Sequence, residues 1–151
     1  MNRRAIHFEE LDHAVAECER LSQSGYVRNG NWSLGQICNH IRLTIDANMD
    51  GYPRWMSLAL PLRPILRRLM LPRLMRGDSP SGIKTAGMFV PPADLNDASE
   101  IMAFADCVNR FHSHTEALYP HPGFGRLAKS EFEKFHAAHA AHHLSFLGES
   151  E

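Results

Sequence analysis

Paired cysteines, net charge and long apolar runs are all missing from this chain. Its three cysteines, Cys18, Cys38 and Cys107, are far apart and odd in number. That argues against a disulfide-stapled scaffold and fits a reducing, cytoplasmic setting. The formal net charge is −1, so no overall field draws the chain toward nucleic acid or an acidic partner. No stretch approaches the roughly 18 apolar residues that span a bilayer, so stable membrane insertion is not expected. The opening residues, MNRRAIHFEELDHA, carry two arginines with no apolar run behind them, unlike a signal peptide. Internal repeats, low-complexity segments and the alternating pattern of strands are absent as well.

What remains is helix. With 151 residues, 44% hydrophobic and 22% charged, the chain can bury a full core and reads as a single domain, 1–151. The first helix runs from Phe8 to Ser24 on a stripe of Leu11, Val15, Cys18 and Leu21, and Gly25 with Arg28-Asn29-Gly30-Asn31 breaks it. The second opens at Trp32-Ser33, where Ser33 and Gln36 form a capping-box signature. Its apolar face is Leu34, Ile37, Ile41 and Ile45, and Asp50-Gly51-Tyr52-Pro53 ends it. The third spans Ala98 to Tyr119 on Ile101, Phe104, Val108, Phe111 and Leu118. The fourth opens on a second capping signature, Ser130 with Glu133, and continues through Leu147 with Gly148 as its C-cap. Between the second and third helices, Trp55 to Met75 is apolar and arginine-rich. Pro61, Pro64 and Pro72 exclude one long helix there and leave short helical pieces. Gly77 to Asn96, with Pro80, Gly82, Gly87, Pro91 and Pro92, reads as an extended connection. The expected architecture is all-α: an up-and-down four-helix bundle with a long crossover connection between helices 2 and 3.

Histidine is abundant, at 10 of 151 residues, and His136, His139, His142 and His143 all fall within FHAAHAAHHLSFL, residues 135–147. They are spaced inside an apolar pattern, unlike a purification tag. Projected at about 100° per residue, His139 and His143 lie near the centre of the inward face, and His136 and His142 lie on its two shoulders. Two imidazoles at i and i+4 can share a divalent metal. Two ligands do not make a site, so a third must come from elsewhere. His40 lies at the edge of its helix's apolar face beside Thr44, and His112 lies nearer its own. Periodicity does not choose between them.

Neighbouring features have quieter readings. Trp32 is a packing anchor ahead of its helix. Asn39 and Gln36 flank His40 and could orient its imidazole, although residues so placed are more often simply exposed. Cys18 and Cys107 read as core thiols, and Cys38 is not a ligand. The arginine-rich stretch 63–76 could meet an anionic membrane or cosubstrate, with a solvated amphipathic segment the favoured reading.

Three segments, GNWSLGQICNHI (30–41), DGYP (50–53) and HPGFGRLAKSEFEKFHAAHAAHHLSFL (121–147), together resemble the DinB-like (YfiT-like) superfamily of metal-binding four-helix bundles. More narrowly they resemble a bacterial branch known only as a domain of unknown function. Carried over by position, the resemblance implies a divalent metal, zinc or nickel, on His40, His139 and His143. It implies either of two function classes. One is a metal-dependent enzyme, a transferase using a low-molecular-weight thiol or a hydrolase. The other is a non-catalytic metal- or ligand-binding bundle, a homodimer among its forms, with a structural or vestigial site. This sequence departs from a simple HxxxH pair in placing His142 beside His143, so a rotated helix could offer His139 and His142 instead.

Overall fold

A computed structural model describes residues 3–79 and 84–150, and only the backbone of 57–60. Pro80 and Gly82 lie outside the described residues. The chain is mostly helical, in the order α1 (Leu11–Ser24), β1 (Tyr26–Arg28), α2 (Leu34–Asp50), a 3-10 run (Arg54–Leu62), α3 (Arg63–Leu69), α4 (Leu71–Met75), a 3-10 turn (Gly87–Phe89), α5 (Asp97–Ser113), α6 (Lys129–Leu144) and β2 (Leu147–Glu149). The long helices α1 and α2 each pack on both α5 and α6. Their apolar stripes meet in one core that includes Leu11, Leu21, Leu34, Ile41, Ile45, Phe104, Phe111, Phe132 and Leu144. A second, smaller core joins Leu71, Phe124 and Phe135, with Leu66, Met70 and Leu74 packed against it. This second core seats the short helices of the crossover on α6.

The start of α2 is fixed twice. The Ser33 hydroxyl accepts from Gln36 N–H at 3.2 Å, and Gln36 Oε1 accepts from Ser33 N–H at 3.0 Å, completing the box that the sequence announces. From the first turn of α5, Asp97 accepts the Gly35 N–H at 2.7 Å and the Tyr26 hydroxyl at 2.8 Å. Tyr26 in turn accepts the Leu34 N–H. These bonds satisfy N–H groups that a helix start leaves without internal partners. They also require a glycine: a Cβ on Gly35 would sit 2.8 Å from Asp97 Oδ1 and 3.2 Å from its Cα.

Element boundaries differ from the sequence expectation in four places. The first helix begins at Leu11, not Phe8. The third ends at Ser113, six residues before Tyr119. There Tyr119 N–H donates to Asn48 O while Asn48 Nδ2 donates to Tyr119 O, and the Lys129 ammonium takes the His112 and His114 carbonyls. These long-range bonds pull residues 114–120 off the helical path. The fourth helix begins at Lys129, where Glu131 reaches back to Ala128 N–H at 2.8 Å. The expected Ser130–Glu133 box does not form, because Glu133 faces His112 instead. Finally, Leu147 and Gly148 do not close a helix. With Glu149 they pair antiparallel to Tyr26–Arg28, a two-stranded ladder that periodicity does not reveal in segments of three residues.

If Asp97 ties β1, α2 and α5 together, Asp97→Ala leaves a buried helix start short of acceptors. The expected cost is about 1–3 kcal/mol, read from urea unfolding. An unchanged midpoint would count against this role.

Candidate metal centre

His40 stands in the middle of α2, and His139 and His143 stand one turn apart on α6. The packing of α2 on α6 brings their rings together, with one ligand nitrogen from each falling within 4.8 Å of the others. His139 Nε2 lies 3.2 Å from His40 Nε2 and 3.1 Å from His143 Nε2. Ligand nitrogens around a tetrahedral zinc at about 2.0–2.1 Å stand roughly 3.3 Å apart, so the two spacings made by His139 are of the right size.

Hydrogen-bond logic points the same way. A carbonyl only accepts, so the 2.7 Å contact between His40 Nδ1 and Phe89 O places the proton on Nδ1. His40 therefore presents a bare lone pair on Nε2 to His139. One Nε2 proton on His139 or His143 cannot serve both short contacts with good geometry. A cation between the three nitrogens satisfies all of them. The donor set therefore fits a divalent metal that accepts imidazole, zinc and nickel among them.

The electrostatics suit the same role. Burial lowers the basicity of His40, opposed in part by the Phe89 bond. Burial also holds His139 and His143 well below the ordinary histidine range, and mutual repulsion with neighbouring imidazoles adds to it. All three are neutral at pH 7, the form a metal needs. Trp32 closes one side of the cluster. Its ring stacks on His143 at a centroid distance of 5.3 Å and tilts against His40 at 4.9 Å. His40 is buried, whereas His139 and His143 keep partial exposure, so the cluster has a face toward solvent.

The other sequence candidates lie elsewhere. His112 is at the surface, paired with Glu133 at 2.8 Å, and takes no part. His142 turns away from the cluster and accepts from the Arg3 guanidinium at 3.1 Å. Gln36 is spent on its cap and on Pro92 O, and Asn39 donates to Glu100, so neither orients His40. Cys38 faces Cys18, with sulfurs 3.6 Å apart in the core, and Cys107 is buried beside Asp46.

Sequence reasoning missed two groups. The Phe89 carbonyl fixes the tautomer of His40, and the signal for it was the apolar Met88-Phe89-Val90 inside a Pro- and Gly-rich connection. Trp32 packs, as expected, but onto the imidazoles. His136 also differs from its projection. It is the most buried of the four α6 histidines, at 1% exposure, among Phe111, Phe132 and Phe135.

His136 Nε2–H donates to Asn48 Oδ1 at 3.1 Å, and its buried Nδ1 has no partner among the described residues. A proton there would be a desolvated charge, and burial drives the group down to about 3. In the unfolded chain His136 titrates near its ordinary 6.5. Its contribution to stability is therefore complete above about 6.5 and declines toward about 3 as acid protonates the unfolded state, at roughly 1.4 kcal/mol per pH unit. Urea unfolding in the presence of chelator should show a loss between pH 7 and pH 5 that is smaller in His136→Gln, by up to about 2 kcal/mol. Equal losses in both proteins would contradict the assignment.

No curated protein and no solved structure matches this chain. A family model does, over residues 1–150, and it carries the description "Protein of unknown function (DUF1569)". The stretch it matches takes in the capped start of α2, the crossover carrying Phe89 and the histidine helix, and on that match the chain belongs to the DUF1569 family.

Proposed function

We propose that His40, His139 and His143 hold a divalent metal, zinc or nickel, in a DinB-like four-helix bundle, and that the centre serves a metal-dependent enzyme. What carries this reading is the convergence of three Nε2 atoms, with the lone pair of His40 aimed inward by Phe89 O. Three protein ligands leave a coordination position free for a small molecule, as in catalytic zinc sites. When bound, such a metal supplies a Lewis acid that makes a water or a low-molecular-weight thiol nucleophilic near neutral pH. The chain's own residues do the rest. Phe89 and Trp32 fix the ring of His40, Trp32 covers one flank, and burial keeps the imidazoles unprotonated. The partial exposure of His139 and His143 favours access by a substrate. The reaction class is thiol transfer or hydrolysis.

The cover formed by Trp32 favours a second reading, a non-catalytic bundle whose metal is structural. The two readings part at the free coordination position.

Protein purified without chelator should carry about one metal per chain, and His40→Ala or His143→Ala should lose most of it. Absence of metal from wild type, together with a melting temperature unmoved by added zinc or nickel, would sink the metal centre. In cobalt-substituted protein, a visible spectrum that shifts on thiol titration supports the enzyme. An unresponsive spectrum supports the structural role.

A further inference from the structure

The crossover has a feature that the histidine cluster does not use. Residues 51–77 contain six arginines, Arg54, Arg63, Arg67, Arg68, Arg73 and Arg76, and no aspartate or glutamate. The rest of the chain keeps ten basic residues against 17 acidic ones. A near-neutral protein thus places six of its 16 basic residues in one segment without acids. None of the six forms an ion pair with a carboxylate among the described residues. Arg63 and Arg67 instead donate to the carbonyls of Pro122 and Arg126, which pins α3 to the loop before α6.

The same segment is apolar on the outside. Leu66 of α3 and Met70 just after it pack against the smaller core. The opposite side presents Leu62, Ile65 and Leu69 at 57–62% exposure, and Trp55 from the 3-10 run stands 58% exposed. Arg68 of α3 and Arg73 of α4 are exposed as well. Large side chains at this exposure, grouped and flanked by unpaired cations, mark an interaction surface.

The chemistry selects the occupant. A second copy docking symmetrically would bring arginine against arginine, with no acid in the segment to offset them. An anionic bilayer offers both halves of the match: phosphate and headgroup charge for the guanidinium groups, and an acyl boundary for leucine, isoleucine and tryptophan. No helix among the described residues is long and apolar enough to cross a membrane, so contact would be in the interfacial plane. We infer that residues 54–56 and 61–76 form a peripheral docking surface for anionic phospholipid membranes, with Trp55, Leu62, Ile65 and Leu69 inserted and Arg68 and Arg73 on the headgroups. None of these residues is one of the three clustered histidines, and the docking does not depend on metal being bound.

Vesicle co-sedimentation tests it, with phosphatidylcholine alone beside phosphatidylcholine mixed with phosphatidylglycerol. The full chain should bind the anionic vesicles, lose binding as salt rises, and leave neutral vesicles in the supernatant. Arg68→Gln with Arg73→Gln should weaken binding about thirtyfold, from two charges near an anionic surface. Ile65→Ser with Leu69→Ser should abolish it. Both pairs are exposed, so circular dichroism should show unchanged melting, and a variant that melts early would be replaced by Trp55→Ser. Absence of binding to anionic vesicles, equal binding to neutral ones, or binding that survives both double substitutions would overturn the proposal. So would a concentration-dependent dimer that the Ile65/Leu69 pair disrupts without any vesicle binding.

Discussion

The contact of Gly35 with Asp97 sets how closely α2 can lie against α5, and the cluster downstream inherits that distance. With no Cβ in the way, the carboxylate reaches the Gly35 N–H of α2 while also holding the Tyr26 hydroxyl, which takes the Leu34 N–H. Five residues further along α2, His40 is presented to α6 with its ring already committed. The placement of His40 thus depends in part on a glycine and an aspartate that touch none of the three imidazoles.

Burial does opposite things to the histidines of α6 depending on what each can bond. His136 closes a polar chain with Asn48 and Tyr119 and stabilises the fold as a neutral donor. His139 and His143 have no such neutral partners on their facing nitrogens; they have one another and His40. A buried polar group without a counterpart is costly. An arrangement that keeps several together makes sense where a further atom can join them.

Much of this was legible in the residues. The stripes of α1, α2 and α5 place the core, and Ser33 with Gln36 announces the start of α2. The i, i+4 spacing of His139 and His143 marks the pair on α6. The partner from α2 was not legible in pattern, because His40 lies off its helix's apolar stripe and is drawn inward by the crossover folding over it. The early end of α5 was hidden for a similar reason. Asn48 and Lys129 capture the 112–119 backbone from elsewhere in the chain, and local propensity carries no record of such bonds. His136 was undervalued because a helical projection assumes one neighbouring surface, whereas α6 is covered on more than one side.

The pairing of Tyr26–Arg28 with Leu147–Glu149 bears on when the cluster can form. Arg4 N–H also donates to Ser145 O, so both the N-terminal segment and the α1–α2 connection are clasped to the end of α6. These contacts close loops of well over a hundred residues, and closing such loops is entropically slow. During synthesis the first helices can assemble their shared face, yet two of the three imidazoles do not exist until residue 143 has emerged. Until then α2 presents His40 without its two partners from α6. The order of residues along the chain thus delays completion of the three-histidine cluster until α6 can pack against α2.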